Sequence, residues 1–381
     1  MKNESPKYRF DKFDENWFLV RISNIASQFK TGGTPSTKEP NFWGGTIPWI
    51  QSSDIQKDTL FGVIPQKFIS EEGLQNSSAK LIPKSSIAIV TRVGVGKLAI
   101  IEQDYTTSQD FLSLSDLNGD IQFLVYSIYR MLQKESTQLQ GTSIKGITKE
   151  ELLSKKISLP DIKEQSAIGS LFRTLDDLLA SYKDNLANYQ SLKATMLSKM
   201  FPKAGQTVPE IRLAGFEGEW ERNSLSDVCT INSGRDYKHL KDGDIPVYGT
   251  GGYMLSVNEK LSDEDAIGIG RKGTIDKPYL LLAPFWTVDT LFYVTCKVGY
   301  DLNYLFLIFQ KVRWKKFDES TGVPSLSKKT IEKVVSKFPS LPEQQAIGTY
   351  FSNLDNLINS HQEKISQLES LKKKLLQDMF I

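Results

Sequence analysis

Arg92-Val-Gly-Val-Gly-Lys97 sets a lysine behind two closely spaced glycines, the kind of turn that can wrap a phosphate. A phosphate loop also needs a glycine five residues before Gly96 and a hydroxyl after the lysine for Mg2+, and here those positions are Thr91 and Leu98. Nucleotide binding is therefore not expected. Gly249-Thr-Gly-Gly252 follows a short strand-like run but lacks the G-x-G-x-x-G register. The two histidines, His239 and His361, stand apart from any cysteine or carboxylate cluster, and no pair of carboxylates suits acid–base work. The Asn-Pro-Pro-Tyr type motif with which an amino-methyltransferase holds its target amine is missing. No catalytic residue and no metal ligand is assigned, which points to binding rather than catalysis. The polar glycine-rich turns remain: Thr31-Gly-Gly-Thr, Gly44-Gly45, the 92–97 turn, Tyr248-Gly-Thr-Gly-Gly and Gly270-Arg-Lys-Gly-Thr.

The elements that carry these turns repeat. Glu164-Gln-Ser-Ala-Ile-Gly aligns with Glu343-Gln-Gln-Ala-Ile-Gly at an offset of 343 − 164 = 179, and the match runs ungapped to Met200-Phe201 and Met379-Phe380. Sixteen of those 38 positions are identical, far above chance, so the chain is duplicated. The same offset pairs Arg92 with Arg271, Asp110 with Asp289 and Thr142 with Thr321. Upstream, Pro6, Arg9, Phe13 and Trp17 match Pro209, Arg212, Phe216 and Trp220 at an offset of 203, so the first copy is longer by 203 − 179 = 24 residues. The loop-rich stretch from Thr31 to Trp49 is the expected place for them.

Each conserved segment reads as a long amphipathic helix. Pro160 and Pro339/Pro342 precede or open it, where proline is tolerated, and Glu164 and Glu343 favour the positive end of the helix dipole. Apolar slots alternate by four and three: Ile168, Phe172, Leu175, Leu179, Tyr182, Leu186, Tyr189, Met196 and Met200 in the first, Ile347, Phe351, Leu354, Ile358, Ile365, Leu368, Leu375 and Met379 in the second. Lys193, His361 and Lys372 interrupt the seam; His361 reads as a packed or edge histidine, not a ligand. A stripe of this kind usually packs on its own domain's core. This one runs about 50 Å at ~1.5 Å per residue, longer than a domain is wide, so the two helices are expected to pair with each other as an antiparallel coiled coil. Between them lie runs read as strands, among them 86–91, 97–101, 265–269 and 290–294, and one late helix-like run per copy, 121–134 and 302–316. The fold class is α+β, two mixed α/β domains in tandem, each followed by a long helix.

Composition sets bounds. No apolar run reaches eighteen residues and Met1-Lys-Asn-Glu-Ser-Pro is no signal peptide, so no membrane partner is expected. Two cysteines, both in the second half, cannot form a disulfide framework, which suits the cytoplasm. A net charge of +2 neither argues for nor excludes nucleic acid.

Taken in order, Leu159-Pro160…Glu164-Gln-Ser-Ala-Ile-Gly with its copy Leu341-Pro342-Glu-Gln-Gln-Ala-Ile-Gly, Thr31-Gly-Gly-Thr-Pro-Ser with Ile47-Pro-Trp-Ile, Gly141-Thr-Ser-Ile-Lys-Gly-Ile-Thr-Lys-Glu-Glu-Leu, and Phe216-Glu-Gly-Glu-Trp resemble the specificity (S) subunits of type I restriction-modification systems. The resemblance covers essentially the whole chain. It implies a first target-recognition domain over 1–159, a central conserved helix over 160–201, a linker over 202–210, a second target-recognition domain over 211–338 and a distal conserved helix over 339–381. It also implies a non-catalytic subunit that binds double-stranded DNA, docks two modification (methyltransferase) subunits and, in the full complex, two restriction (translocase-nuclease) subunits. S-adenosylmethionine, ATP and Mg2+ would belong to those partners and no cofactor to this chain.

On that reading, side chains that can pair with base edges or phosphates become candidates for DNA contact. They are Lys30, Thr34, Ser52, Arg92 and Lys145 in the first domain, and Arg235, Tyr237, Lys238, Tyr248 and Arg271 in the second. Arg92 and Arg271, matched by the repeat beside a glycine turn, suit phosphate positioning. The competing reading is a coiled-coil scaffold with two protein-binding domains. It accounts for the helices but not for two diverged domains with polar glycine-rich loops.

Overall fold

A computed structural model describes residues 6–138 and 146–381. The chain divides into two compact units, and the division cuts both long helices. One unit holds the described residues up to Tyr182 together with Lys364–Ile381, and the other holds Lys183–Glu363.

In the first unit, Ala26–Thr31, Phe111–Leu117, Ser86–Val90 and Leu98–Ile101 form a four-stranded antiparallel sheet in that order. Ser86–Val90 is buried along its whole length, as its apolar run requires of a strand covered on both faces. A three-stranded sheet sets Trp43–Ile50 between Lys67–Ile69, antiparallel, and Thr106–Thr107, parallel. Phe18–Arg21 pairs with Lys156–Leu159, just before the first long helix, Ile162–Lys199. The helix Ile121–Gln138 completes the unit. The second unit repeats this wiring. Its four strands are Cys229–Ser233, Leu291–Cys296, Ala266–Gly270 and Tyr279–Leu281, its three are Gly252–Val257, Asp242–Gly249 and Trp286–Thr287, and Glu221–Ser224 pairs with Val335–Phe338. The helix Leu302–Lys311 stands for Ile121–Gln138, and the second long helix is Leu341–Asp378. Small caps repeat too: Thr148 accepts from Glu151 N and Ser327 from Thr330 N, each starting a one-turn helix.

The extra length of the first copy is not where it was expected. Between Thr31 and Trp43 lie eleven residues, 32–42, against eight, 234–241, between Ser233 and Asp242. The larger excursions come later. Sixteen residues, 51–66, connect strands that two, 250–251, connect in the second unit, and 70–85 holds sixteen where 258–265 holds eight. Ile47-Pro-Trp49 and Ile245-Pro-Val247 occupy matching strand positions, so that stretch is scaffold.

The long helices pair antiparallel. In the first unit Phe380 lies 5.4 Å from Phe172 and Lys372 bonds Asp176, so later residues of one helix meet earlier residues of the other. In the second unit Phe351 lies 6.4 Å from Phe201, His361 lies 5.1 Å from Tyr189 and Lys193 bonds Asp355. Ile168, Phe172, Leu175 and Leu179 are buried, as are Ile347, Phe351, Leu354, Ile358 and Leu368, whereas Tyr182, Leu186, Tyr189, Met196 and Ile365 are only half-buried. Ile168, Phe172, Leu175, Leu179 and Leu368 also belong to the core of the first unit, and Ile347 and Phe351 to that of the second, so the packing there has a second side. A two-helix seam alone covers less of each side chain. Near the distal end Leu376 is more deeply buried than Leu375. No helix among the described residues is long and apolar enough to cross a membrane.

Candidate nucleic-acid interface

The glycine turn that imitates a phosphate loop joins two antiparallel strands, Ser86–Val90 and Leu98–Ile101, so no helix N-terminus follows it. Gly94 and Gly96 take φ of 91° and 94°, which only glycine adopts without strain. Lys97 points inward and donates to the carbonyl of Ser52 at 3.1 Å. Ser52 is thus tied to this turn through its backbone. Arg92 projects from the same turn, exposed; its carbonyl accepts from Val95 N at 3.2 Å, and its side chain makes no hydrogen bond or ion pair among the described residues. Lys30 lies half-buried on Ala26–Thr31 and donates to Leu81 O at 3.1 Å. Thr34 donates to Gln109 Oε1 at 2.5 Å. Lys145 lies outside the described residues.

The second unit gathers its candidates more tightly. Trp286 Nε1 donates to Arg235 O at 2.9 Å, which fixes the chain just before Tyr237 and Lys238. Tyr237 and Tyr248 both pack, partly buried, against the apolar cluster that includes Val247 and Trp286. The Tyr248 ring lies 6.2 Å from Tyr279 and 6.4 Å from Tyr253, and Tyr253 is 63% exposed at a hairpin turn. Arg235, Lys238 and Arg271 are exposed. The Arg271 guanidinium lies 5.9 Å from the ring centroid of Phe292.

The backbone corrects the equivalence of Arg92 and Arg271. Arg271 donates its N–H to Thr290 O and accepts from Leu326 N. In the first unit Thr91 makes those two bonds, to Asp110 O and from Ile147 N. Arg271 therefore stands at the place of Thr91, one residue from Arg92, because the strands before the turn run at an offset of 180 rather than 179. A one-residue slip on a strand reverses which way the side chain points.

What holds each domain to its helix is the duplicated Glu-Gln-x-Ala-Ile-Gly motif. Arg9 donates to both oxygens of Glu164 at 2.7 Å, and Arg212 to both oxygens of Glu343 at 2.8 and 2.6 Å. Both carboxylates are buried. The hydrogen bonds to these carboxylates push both guanidinium pKa values above the usual one. Gln165 Oε1 accepts from Asp120 N at 3.0 Å while its amide donates to Pro160 O, and Gln344 does the same with Asp301 N and Pro339 O. Asp120 and Asp301 in turn accept from Phe123 N and Tyr304 N, at the start of each domain's helix. A Cβ on Gly169 would lie 2.6 Å from Asp120 Oδ1, and one on Gly348 2.6 Å from Asp301 Oδ1. Glu, Gln and Gly of the motif thus join domain to helix at a fixed close approach. The identity of Arg9 with Arg212 was the only signal of this in the sequence.

Comparison with known proteins comes to the same place. A family model described as the type I restriction modification DNA specificity domain matches residues 14–188 and again residues 217–370. The chain is 25% identical over 236 residues to the type I restriction enzyme MjaIX specificity subunit of Methanocaldococcus jannaschii, and 33% identical over 166 residues to the EcoR124I/EcoR124II specificity subunit of Escherichia coli. These matches span 54% and 40% of those two proteins, and 58% and 41% of this chain. A match at 22% identity to the MjaVIII specificity subunit of M. jannaschii spans 95% of this chain and 91% of that protein. The S subunit of a type-I restriction-modification system from M. genitalium has the same fold, with a TM-score of 0.72 at 18% identity over 99% of both chains. The chain belongs to the family of type I restriction modification DNA specificity domains and carries that domain twice.

Proposed function

We propose that this chain is the non-catalytic subunit that gives a type I restriction-modification complex its DNA sequence specificity. Each target-recognition domain reads one half of a split, asymmetric site in double-stranded DNA. The antiparallel helix pair sets the distance between the half-sites and docks two modification subunits, with two restriction subunits joining in the full complex. S-adenosylmethionine, ATP and Mg2+ belong to those partners, and the site of action is the cytoplasm.

The observation that carries this reading is a contrast within one molecule. Strand order and the Arg–Glu and Gln–Asp junctions are the same in both domains, while the connections differ, sixteen residues at 51–66 against two at 250–251. Equal frames with unequal loops suit two readers of different sequences on a common mount. Two repeat-related pairs of exposed leucines on the helices, Leu178 with Leu357 and Leu192 with Leu371, support docking of a partner present in two copies.

Methylome sequencing of cells carrying the chain with its modification subunits tests the proposal. The expected result is one bipartite motif, and exchanging residues 26–117 for those of a relative changes only one half of it. A motif unaltered by the exchange overturns the assignment.

A further inference from the structure

The stretch Asp318–Ser325 follows the turn Trp314–Phe317 and contains no helix or strand, yet it is built. Asp318 Oδ1 accepts three hydrogen bonds, from Ser320 N at 3.0 Å, Ser320 Oγ at 2.8 Å and Ser325 N at 2.9 Å. Those bonds hold its carboxyl below the usual carboxylate range. Glu319 N closes the loop on Ser325 O at 3.0 Å. The loop is also pinned to the Arg271 turn. Gly273 N donates to Pro324 O at 2.8 Å and Leu326 N to Arg271 O at 2.9 Å.

Nothing at the tip is spent on the core. Thr321, Gly322, Val323 and Pro324 are all exposed, Val323 at 66%. The two acidic residues are exposed but bond locally, Asp318 to the loop's own donors and Glu319 to the hydroxyls of Ser327 and Thr330. Arg271 and Lys272 beside the tip are exposed and form no salt bridge among the described residues. The result is a pre-ordered loop with an apolar tip, its own acids satisfied, flanked by two unneutralised cations. Ordering a tip in advance lowers the entropy lost on binding, and cations without acidic partners suit phosphates.

We infer that the loop Asp318–Ser325 is a DNA-probing element of the second domain, with Arg271 and Lys272 on the phosphate backbone and Thr321 and Val323 on base edges in the groove. This rests on the reading of the chain as a DNA-specificity subunit. Val323 offers the apolar contact that a thymine methyl takes, and Thr321 a hydroxyl that pairs with any base edge. Asp318 acts through the loop as a positioning residue. In the first unit Ile147 N donates to Thr91 O at 2.8 Å, as Leu326 N does to Arg271 O in the second.

The test uses the full chain in its complex with the modification subunits and the duplex found by methylome sequencing. Affinity for that duplex and for a scrambled duplex is measured across salt concentrations, with melting temperature as the control for folding. Val323→Ala and Asp318→Ala are expected to lower the ratio of specific to scrambled affinity by roughly five- to tenfold. Arg271→Ala is expected to weaken both duplexes alike and to reduce the salt slope by about one. An unchanged ratio of specific to scrambled affinity in Val323→Ala and Asp318→Ala overturns the inference while the functional reading stands. A wild-type complex that does not distinguish the two duplexes overturns both.

Discussion

Lys193 reaches from the first long helix to Asp355 on the second, with 2.5 Å between Nζ and Oδ1. Adding 179 to the lysine gives Lys372 and subtracting it from the aspartate gives Asp176, and those two residues also bond. The interruptions of the seam by Lys193 and Lys372 are therefore two images of one cross-helix ion pair. In the first unit Asp176 also accepts from the Tyr126 hydroxyl at 2.5 Å. Polar pairs in an apolar seam set register at some expense of stability.

A double-mutant cycle on Lys193→Ala and Asp355→Ala is expected to give a coupling of about 0.5–1.5 kcal/mol, modest because Asp355 keeps 31% of its side-chain exposure. Urea unfolding followed by circular dichroism reads it. Strictly additive single mutants would show that the pair does not specify the register.

The clamp at the start of each helix should matter more. Arg212→Ala leaves the Glu343 carboxylate buried without its partner, and a loss of about 3–5 kcal/mol in the stability of the second unit is expected. Arg9→Ala should do the same to the first. Gly348→Ala forces a Cβ to within 2.6 Å of Asp301 Oδ1, for a cost of about 1–3 kcal/mol. Hydrogen exchange resolved by segment would assign each loss to its own unit, and equal protection in variant and parent would contradict the role given to the junction.

If the helix pair is the ruler, its length should be written into the target. Seven residues inserted after Tyr182 and seven after Glu363 preserve the heptad phase and lengthen each helix by about 10.5 Å. The spacer between half-sites should grow by about three base pairs, at ~3.4 Å per base pair, with both half-sites unchanged. Methylome sequencing of the variant decides it, and a spacer of the original length rules the ruler out.

Cys229 and Cys296 face each other across antiparallel strands as free thiols. Burial, the largest cause for each, pushes both up to about 12. At pH 8 both are protonated, so Ellman's reagent is expected to react only as fast as the second unit opens. A fast equivalent of released thiolate from native protein would show that the strand pair is more accessible than its packing implies.

Periodicity and repetition alone make the helices legible in the sequence. A four-three spacing over ten turns has few solutions, and a motif copied at a constant offset must serve the same end twice. Ser86–Val90, Leu98–Ile101, Ala266–Gly270 and Leu291–Cys296 were legible as apolar runs because they are largely buried, whereas the half-exposed strands Ala26–Thr31 and Cys229–Ser233 carry no such run. The sequence did not show what the Glu-Gln-x-Ala-Ile-Gly motif holds. Its partners, Arg9 and Asp120, lie 155 and 45 residues from Glu164 and Gln165, and only folding brings them into contact. Nor could a constant offset reveal that Arg271 stands at the place of Thr91, since side-chain direction on a strand depends on hydrogen-bond register and not on residue count. Local pattern alone determined the helices and the duplication. The joints, and the faces that the turns present, were decided by long-range hydrogen bonds that exist only in the tertiary structure.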